Sequence, residues 1–133
     1  MQQAADSLNH YADDLEQATT GLWYPSEVDA PLAVVRWPAD QLEAITLPQL
    51  LEGEVGNQHP PEQFFEPIVN NPFWHTAQGE HLAQRYRAIQ RLLYDALTDL
   101  HTYRLGTVEV RLYLIGRHPS GGYVGLSTTI VET

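Results

Sequence analysis

The feature that most constrains this chain is a pair of alternating runs joined by a glycine-containing turn. In TVEVRLYLIG, Thr107 to Gly116, Val108, Val110, Leu112 and Leu114 fall on one face, and Glu109, Arg111, Tyr113 and Ile115 on the other. A period of two is the signature of a strand. RHPSGG reads as a hairpin loop, and YVGLSTTIVET returns with Val124, Leu126, Thr128 and Ile130 on one side. Two such runs pair antiparallel and leave an apolar face that needs a cover. TAQGEHLAQRYRAIQRLLYDALTDL, Thr76 to Leu100, supplies one: Leu82, Tyr86, Ile89, Leu93, Ala96 and Leu100 recur at three and four. The expected class is therefore α+β, with a mainly antiparallel sheet and flanking helices.

Other segments are less periodic. From Ala4 to Ala18 the stripe Leu8, Tyr11, Leu15, Ala18 predicts an amphipathic helix, with Gly21 as its stop. LWYPSEVDAP, Leu22 to Pro31, reads as a loop. LAVVRW, Leu32 to Trp37, reads as a strand, and its mixed faces place it inside the sheet. LPQLLEG, from Leu47, could form a short helix. PEQFFEPIV starts another at Pro61 with Phe64, Phe65 and Ile68 as its apolar face, although Pro67 works against it. No repeat, low-complexity segment or linker divides residues 1–133, so one domain is expected.

Size and composition narrow the function. A chain of 133 residues can bury roughly two thirds of its unfolded surface without staples. There is no cysteine, which excludes a disulfide, a thiol nucleophile and a thiolate metal site. The acidic N-terminal stretch lacks the apolar region of a secretory signal, so cytoplasmic residence is the expectation. Seventeen acidic residues against seven arginines and no lysine give a net charge of −10, which repels a phosphate backbone. The charge suits either a well-solvated surface or a basic protein partner.

No catalytic constellation is legible. His75 and His81 are six apart, and His10, His59, His101 and His118 are scattered, so none has ligand spacing. Asp13–Asp14 fits a solvated helix face, and Glu52 and Glu54 flank a loop glycine. The PSGG turn has neither the Lys-Ser/Thr nor the helix of a phosphate loop, and no serine sits in a GxSxG setting. A non-enzyme without cofactor or metal of its own is expected. Three features stay unabsorbed: the loop YPSEVDAP, the pair Phe73–Trp74, and TIVET, where Glu132 and Thr133 come directly after a strand.

Those features carry a resemblance. YRLGTVEVRLYLIGRHPSGGYVGLSTTIVET, Tyr103 to Thr133, resembles the last segment of the bacterial nuclease A inhibitor family, with its Y-R-L-G-x-V-E start, I-G strand end, P-x-G turn and closing G-x-S-T-x-V-E-T. GLWYPSEVDAPLAVVRW is similar to that family's G-L-x-x-x-S-E segment, and Phe73–Trp74 stands where the family has an aromatic before its long helix. The resemblance covers 15–37 and 64–133 and is absent for 39–60. It implies a three-layer α/β/α sandwich similar to the pathogenesis-related protein 1 arrangement. It also implies an intracellular protein that inhibits, one to one, a sugar-non-specific DNA/RNA endonuclease with a single catalytic metal ion. By position, Thr133 would reach the partner's metal, Glu27 would lie close to it, and Trp74 would touch the enzyme. One position departs: Pro72 stands where the family has a contacting Gln. The alternative is a binding or scaffold module of the same fold with inhibition lost.

The chemistry of such a contact is consistent with these residues. A hard divalent ion takes oxygen ligands and keeps open positions for a phosphate oxygen. Thr133 and Glu132 at a strand end, with Glu27 and Asp29 on a loop, offer negative oxygens in its place. Tyr24, Trp23 and Trp74 are candidate apolar anchors of the type common at interface hot spots.

Overall fold

The structure, a computed structural model, describes residues 2–25, 30–37, 58–72 and 76–131. Strands β3 (Ala33–Trp37), β4 (Gln58–His59), β5 (Thr98–Leu105), β6 (Glu109–Arg117) and β7 (Tyr123–Val131) form one sheet. Its order is β3-β7-β6-β5-β4, and every neighbouring pair is antiparallel. A separate two-stranded ribbon pairs β1 (Trp23–Tyr24) with β2 (Ala30–Pro31). Helices α1 (Gln2–Thr19), α2 (Glu62–Val69) and α3 (Ala77–Ala96) complete the described elements. The class is α+β.

The alternation of β6 and β7 determines where the core lies. Val110, Leu112 and Leu114 of β6 and Val124, Leu126 and Ile130 of β7 are buried on one face. Leu8, Tyr11, Ala12 and Leu15 of α1, Phe64, Phe65 and Ile68 of α2, and Tyr86, Ile89 and Leu93 of α3 pack into the same cluster. All three described helices thus cover one face. The other face holds a smaller cluster of Tyr103, Leu105 and Ile115, with Val35, Trp37, Tyr113 and Tyr123 packed against it.

The helices are locked to each other and to the ribbon through main-chain carbonyls. Tyr11 Oη donates to Leu92 O at 2.7 Å, and Arg85 Nη2 donates to Ala18 O at 3.1 Å and Thr20 O at 2.7 Å. The guanidinium therefore satisfies carbonyls at the end of α1, where the helix dipole favours a cation. Helix α2 continues through Pro67, and its Phe64, Phe65 and Ile68 are buried as the spacing predicts.

Several sequence expectations are corrected. The run Leu32–Trp37 is placed inside the sheet by its mixed faces, yet β3 pairs only with β7 and forms an edge of the described sheet. The long helix ends at Ala96 rather than Leu100: Leu97 is already extended, and β5 begins at Thr98. Leu97 and Leu100 still reach the helix-side core, but from extended chain. The loop Leu22–Pro31 contains the β1–β2 pairing, and Val108 lies before β6 and is exposed. The short helix expected near Leu47–Gly53 falls outside the described residues.

Candidate functional site

The register of the sheet gives it two distinct ends. At the upper end β5 finishes (Leu105), β6 starts (Glu109) and β7 finishes (Val131), while β3 starts at Ala33 beside Ser127, midway along β7. At the lower end lie Thr98, Arg117, Tyr123 and Trp37.

The described residues flanking the candidate segments lie toward the upper half of the sheet. Glu109 pairs with Val131, which immediately precedes Glu132 and Thr133. Ala33 pairs with Ser127, so the chain preceding it runs alongside the finishing part of β7. Thr128 Oγ1 donates to Pro31 O at 3.0 Å and ties the ribbon to β7 there. The ribbon pairs Tyr24 with Ala30, and Glu27 and Asp29 lie between these two in sequence.

Helix direction adds the third segment. The ring centroids of Tyr11 and His118 are 5.2 Å apart, and His118 lies in the β6–β7 hairpin at the lower end. Helix α1 climbs from there to the ribbon, and its contacts from Tyr11 to Leu92 and from Ala18 to Arg85 make α3 antiparallel to it. The start of α3 therefore points to the upper end, about 12 Å beyond Arg85 at 1.5 Å per residue. Thr76 caps it by accepting from Gly79 N at 3.0 Å. Phe73 and Trp74 precede that cap. Pro72 is exposed at the edge of this stretch.

Glu27, Asp29, Trp74, Glu132 and Thr133 themselves lie outside the described residues. Tyr24 does not, and it lies on the inner side of the ribbon. It is 1 % exposed, its ring lies 5.0 Å from that of Phe64, and its hydroxyl donates to Phe64 O at 2.6 Å. Tyr24 is thus a core residue that fixes the ribbon onto α2. Its neighbour Trp23 points the other way and is 54 % exposed, while Tyr86 Oη donates to the Trp23 carbonyl from behind. A second residue at this end was not among the expected contacts: Val108, which the alternation assigned to the buried face, is 57 % exposed.

Chemistry elsewhere is structural. Ser120 N donates to His118 Nδ1 at 3.1 Å, which fixes the ring proton on Nε2, and Ser120 Oγ lies 2.8 Å from the same nitrogen. Burial lowers the His118 pKa below its ordinary value. Burial raises that of Tyr11. Exposed pairs such as Arg87–Glu80 at 3.0 Å and Arg36–Asp13 at 3.6 Å contribute little to stability. Among the described residues no three His, Asp or Glu side chains converge as metal ligands. No described helix is long and apolar enough to cross a membrane.

A family model described as nuclease A inhibitor-like protein matches residues 9–133. The chain belongs to the nuclease A inhibitor-like family. The match runs through 39–60, where the sequence itself carries no family motif. No curated protein matches the chain. Membership in the nuclease A inhibitor-like family supports an inhibitor-type role exercised on a protein partner.

Proposed function

We propose that this protein inhibits a sugar-non-specific DNA/RNA endonuclease, one to one and in the cytoplasm, by entering its metal-containing active site. Thr133 reaches the partner's metal, and Glu27 lies beside it. Glu132 and Asp29 add negative charge, and Trp74 anchors the rim. The protein performs no chemistry itself and holds no metal of its own. The third layer of the expected sandwich belongs, in this reading, to the sheet face opposite the helices, where Ile115 and Tyr103 are 0 % and 5 % exposed.

One observation carries the reading. The described residues flanking the pair Glu132–Thr133 stand at the upper end of the sheet, the ribbon flanking Glu27 is tied to β7 at Thr128, and the helix that follows Trp74 begins toward the same end. In this reading, groups far apart in sequence meet one partner surface. The scaffold beneath them is hydrogen-bonded and packed, so docking forfeits little conformational entropy. A net charge of −10 favours encounter with a cleft built to hold phosphates.

Titration of such a nuclease with the purified protein tests the proposal. Activity should fall linearly to its floor at one equivalent, and an unchanged rate at severalfold excess would overturn it. The second reading, a binding module without inhibition, draws on Pro72, which is exposed and offers no side-chain donor where the family has Gln. Binding without loss of nuclease activity would favour that reading.

A further inference from the structure

We infer that two copies of this chain meet through the groove between α2 and α3, related by a two-fold axis running along it. The inference is independent of the inhibitor reading. Phe65, Ile68 and Val69 of α2 and Ala83, Arg87 and Gln90 of α3 line a space of about 120 Å³. An apolar cavity of about 150 Å³ admits a benzene, so the groove has room for one aliphatic side chain from outside. Among the described residues four large hydrophobics are exposed, and two of them border this groove. Val69 lines it, and the ring of Tyr94 lies 6.3 Å from that of Phe65.

The two rims carry opposite charge. Burial and, after it, the charge of Glu62 raise the Tyr94 pKa, so Glu62 lies beside Tyr94. Val69, at the other end of α2, shares the groove with Ala83, so α2 and α3 run antiparallel. Glu62, Phe65, Glu66 and Val69 follow at three and four along one side of α2. Ala83, Arg87, Gln90, Arg91 and Tyr94 do the same on α3. The α2 rim is therefore acidic and the α3 rim basic. Glu62, Glu66 and Arg91 are exposed and form no ion pair among the described residues. Arg87 pairs only with Glu80 of its own helix, at 3.0 Å and in solvent.

This arrangement selects a second copy as the occupant. An axis along the groove lays α2 of each copy on α3 of the other. Glu62 and Glu66 then face Arg91 and Arg87 twice over, and the two Val69 side chains meet above the groove. An axis across the groove would instead lay glutamate on glutamate. A two-fold contact needs a self-complementary surface, and a net charge of −10 makes the rest of the surface repel a like copy. Two helices side by side from Ala83 to Tyr94 present roughly 350 Å² per copy, against about 800 Å² in a standard interface. The dimer is accordingly weak, with a Kd on the order of 100 μM.

Sedimentation equilibrium of the full chain, up to about 1 mM and in low and high salt, tests the inference. Wild type should dimerise reversibly and severalfold more tightly at high salt, because screening relieves the repulsion between two net charges of −10. Val69→Asp should weaken self-association about tenfold. Glu66→Arg and Arg91→Glu should each weaken it severalfold, and the double variant should recover, since the exchange recreates the pair. Thermal melts report the folding of each variant. Wild type that stays monomeric at about 1 mM in high salt overturns the inference. A dimer that neither Val69→Asp nor Arg91→Glu changes by more than twofold lies elsewhere and overturns it too, as does a double variant no tighter than either single one. If Val69→Asp self-associates like wild type but no longer inhibits a nuclease, the groove belongs to the nuclease and the inference falls while the inhibitor reading stands.

Discussion

Thr128 and Pro31 meet through a single hydrogen bond: the threonine hydroxyl of β7 donates to the proline carbonyl of β2 at 3.0 Å. This contact sets the ribbon against the strand that leads to Thr133. Thr128→Val keeps the shape and removes the donor. It should cost about 1 kcal/mol of stability in denaturant melts and weaken nuclease inhibition severalfold, because the two halves of the proposed site lose their tie. Unchanged inhibition at reduced stability would show that the ribbon is positioned by other contacts.

Tyr24 and Glu27 are close in sequence and should behave differently. Tyr24→Phe removes the bond to Phe64 O, lowering stability by about 1 kcal/mol, which for a domain of this size is a fall of roughly 3–6 °C in Tm. Its affinity for the nuclease should remain that of wild type. Glu27→Ala should leave Tm in place and cost about 2–5 kcal/mol of binding if the carboxylate is buried against a cation in the complex. Parallel calorimetric melts and inhibition titrations separate the two roles.

Shortening or extending the chain tests Thr133. Deleting it, or appending a short tag after it, should reduce inhibition sharply while the circular dichroism spectrum and Tm stay as in wild type. A tagged protein that inhibits as well as the untagged one would remove Thr133 from the partner's metal.

His118 should impose a pH dependence on stability. Burial lowers its folded-state pKa below the ordinary 6.5, so the folded protein favours the neutral ring, whose Nδ1 accepts from Ser120 N. The unfolded chain then binds more protons, and stability rises with pH across this range. The stabilising contribution is present above about pH 6.5 and is lost as pH falls through the folded pKa. Denaturant midpoints from pH 7.5 to 5 should therefore slope more steeply for wild type than for His118→Asn.

The parts of this fold legible from sequence are those in which a single periodicity runs uninterrupted. Every residue that the reading placed on the helix-side face of β6 and β7 from Val110 onward is buried, and Ile115 on the opposite face is buried as well. The boundary between α3 and β5 was hidden because Leu93, Leu97 and Leu100 keep helical spacing although the last two occupy extended chain. Their new path needs a close approach to β6: a Cβ on Gly116 would lie 2.8 Å from Leu97 Cβ and 3.0 Å from Leu100 Cδ1. That is a tertiary condition, invisible to a local window. A strand at the edge of a sheet and one inside it can share a composition, which is why Leu32–Trp37 misled. Of the proposed site, spacing alone revealed nothing; Glu27, Trp74 and Thr133 are proposed only through the family resemblance. Nor can two adjacent aromatics declare which one turns inward, and here Tyr24 does and Trp23 does not.

The pairing of Ala33 with Ser127 brings together residues far apart along the chain. Contacts of such long sequence separation are slow to form, and this one cannot begin until β7 has left the ribosome. A nascent chain therefore exposes neither half of its surface in working order, and a fragment lacking either half should be inert. Inhibitory competence would arrive all at once, as β7 closes against its neighbours.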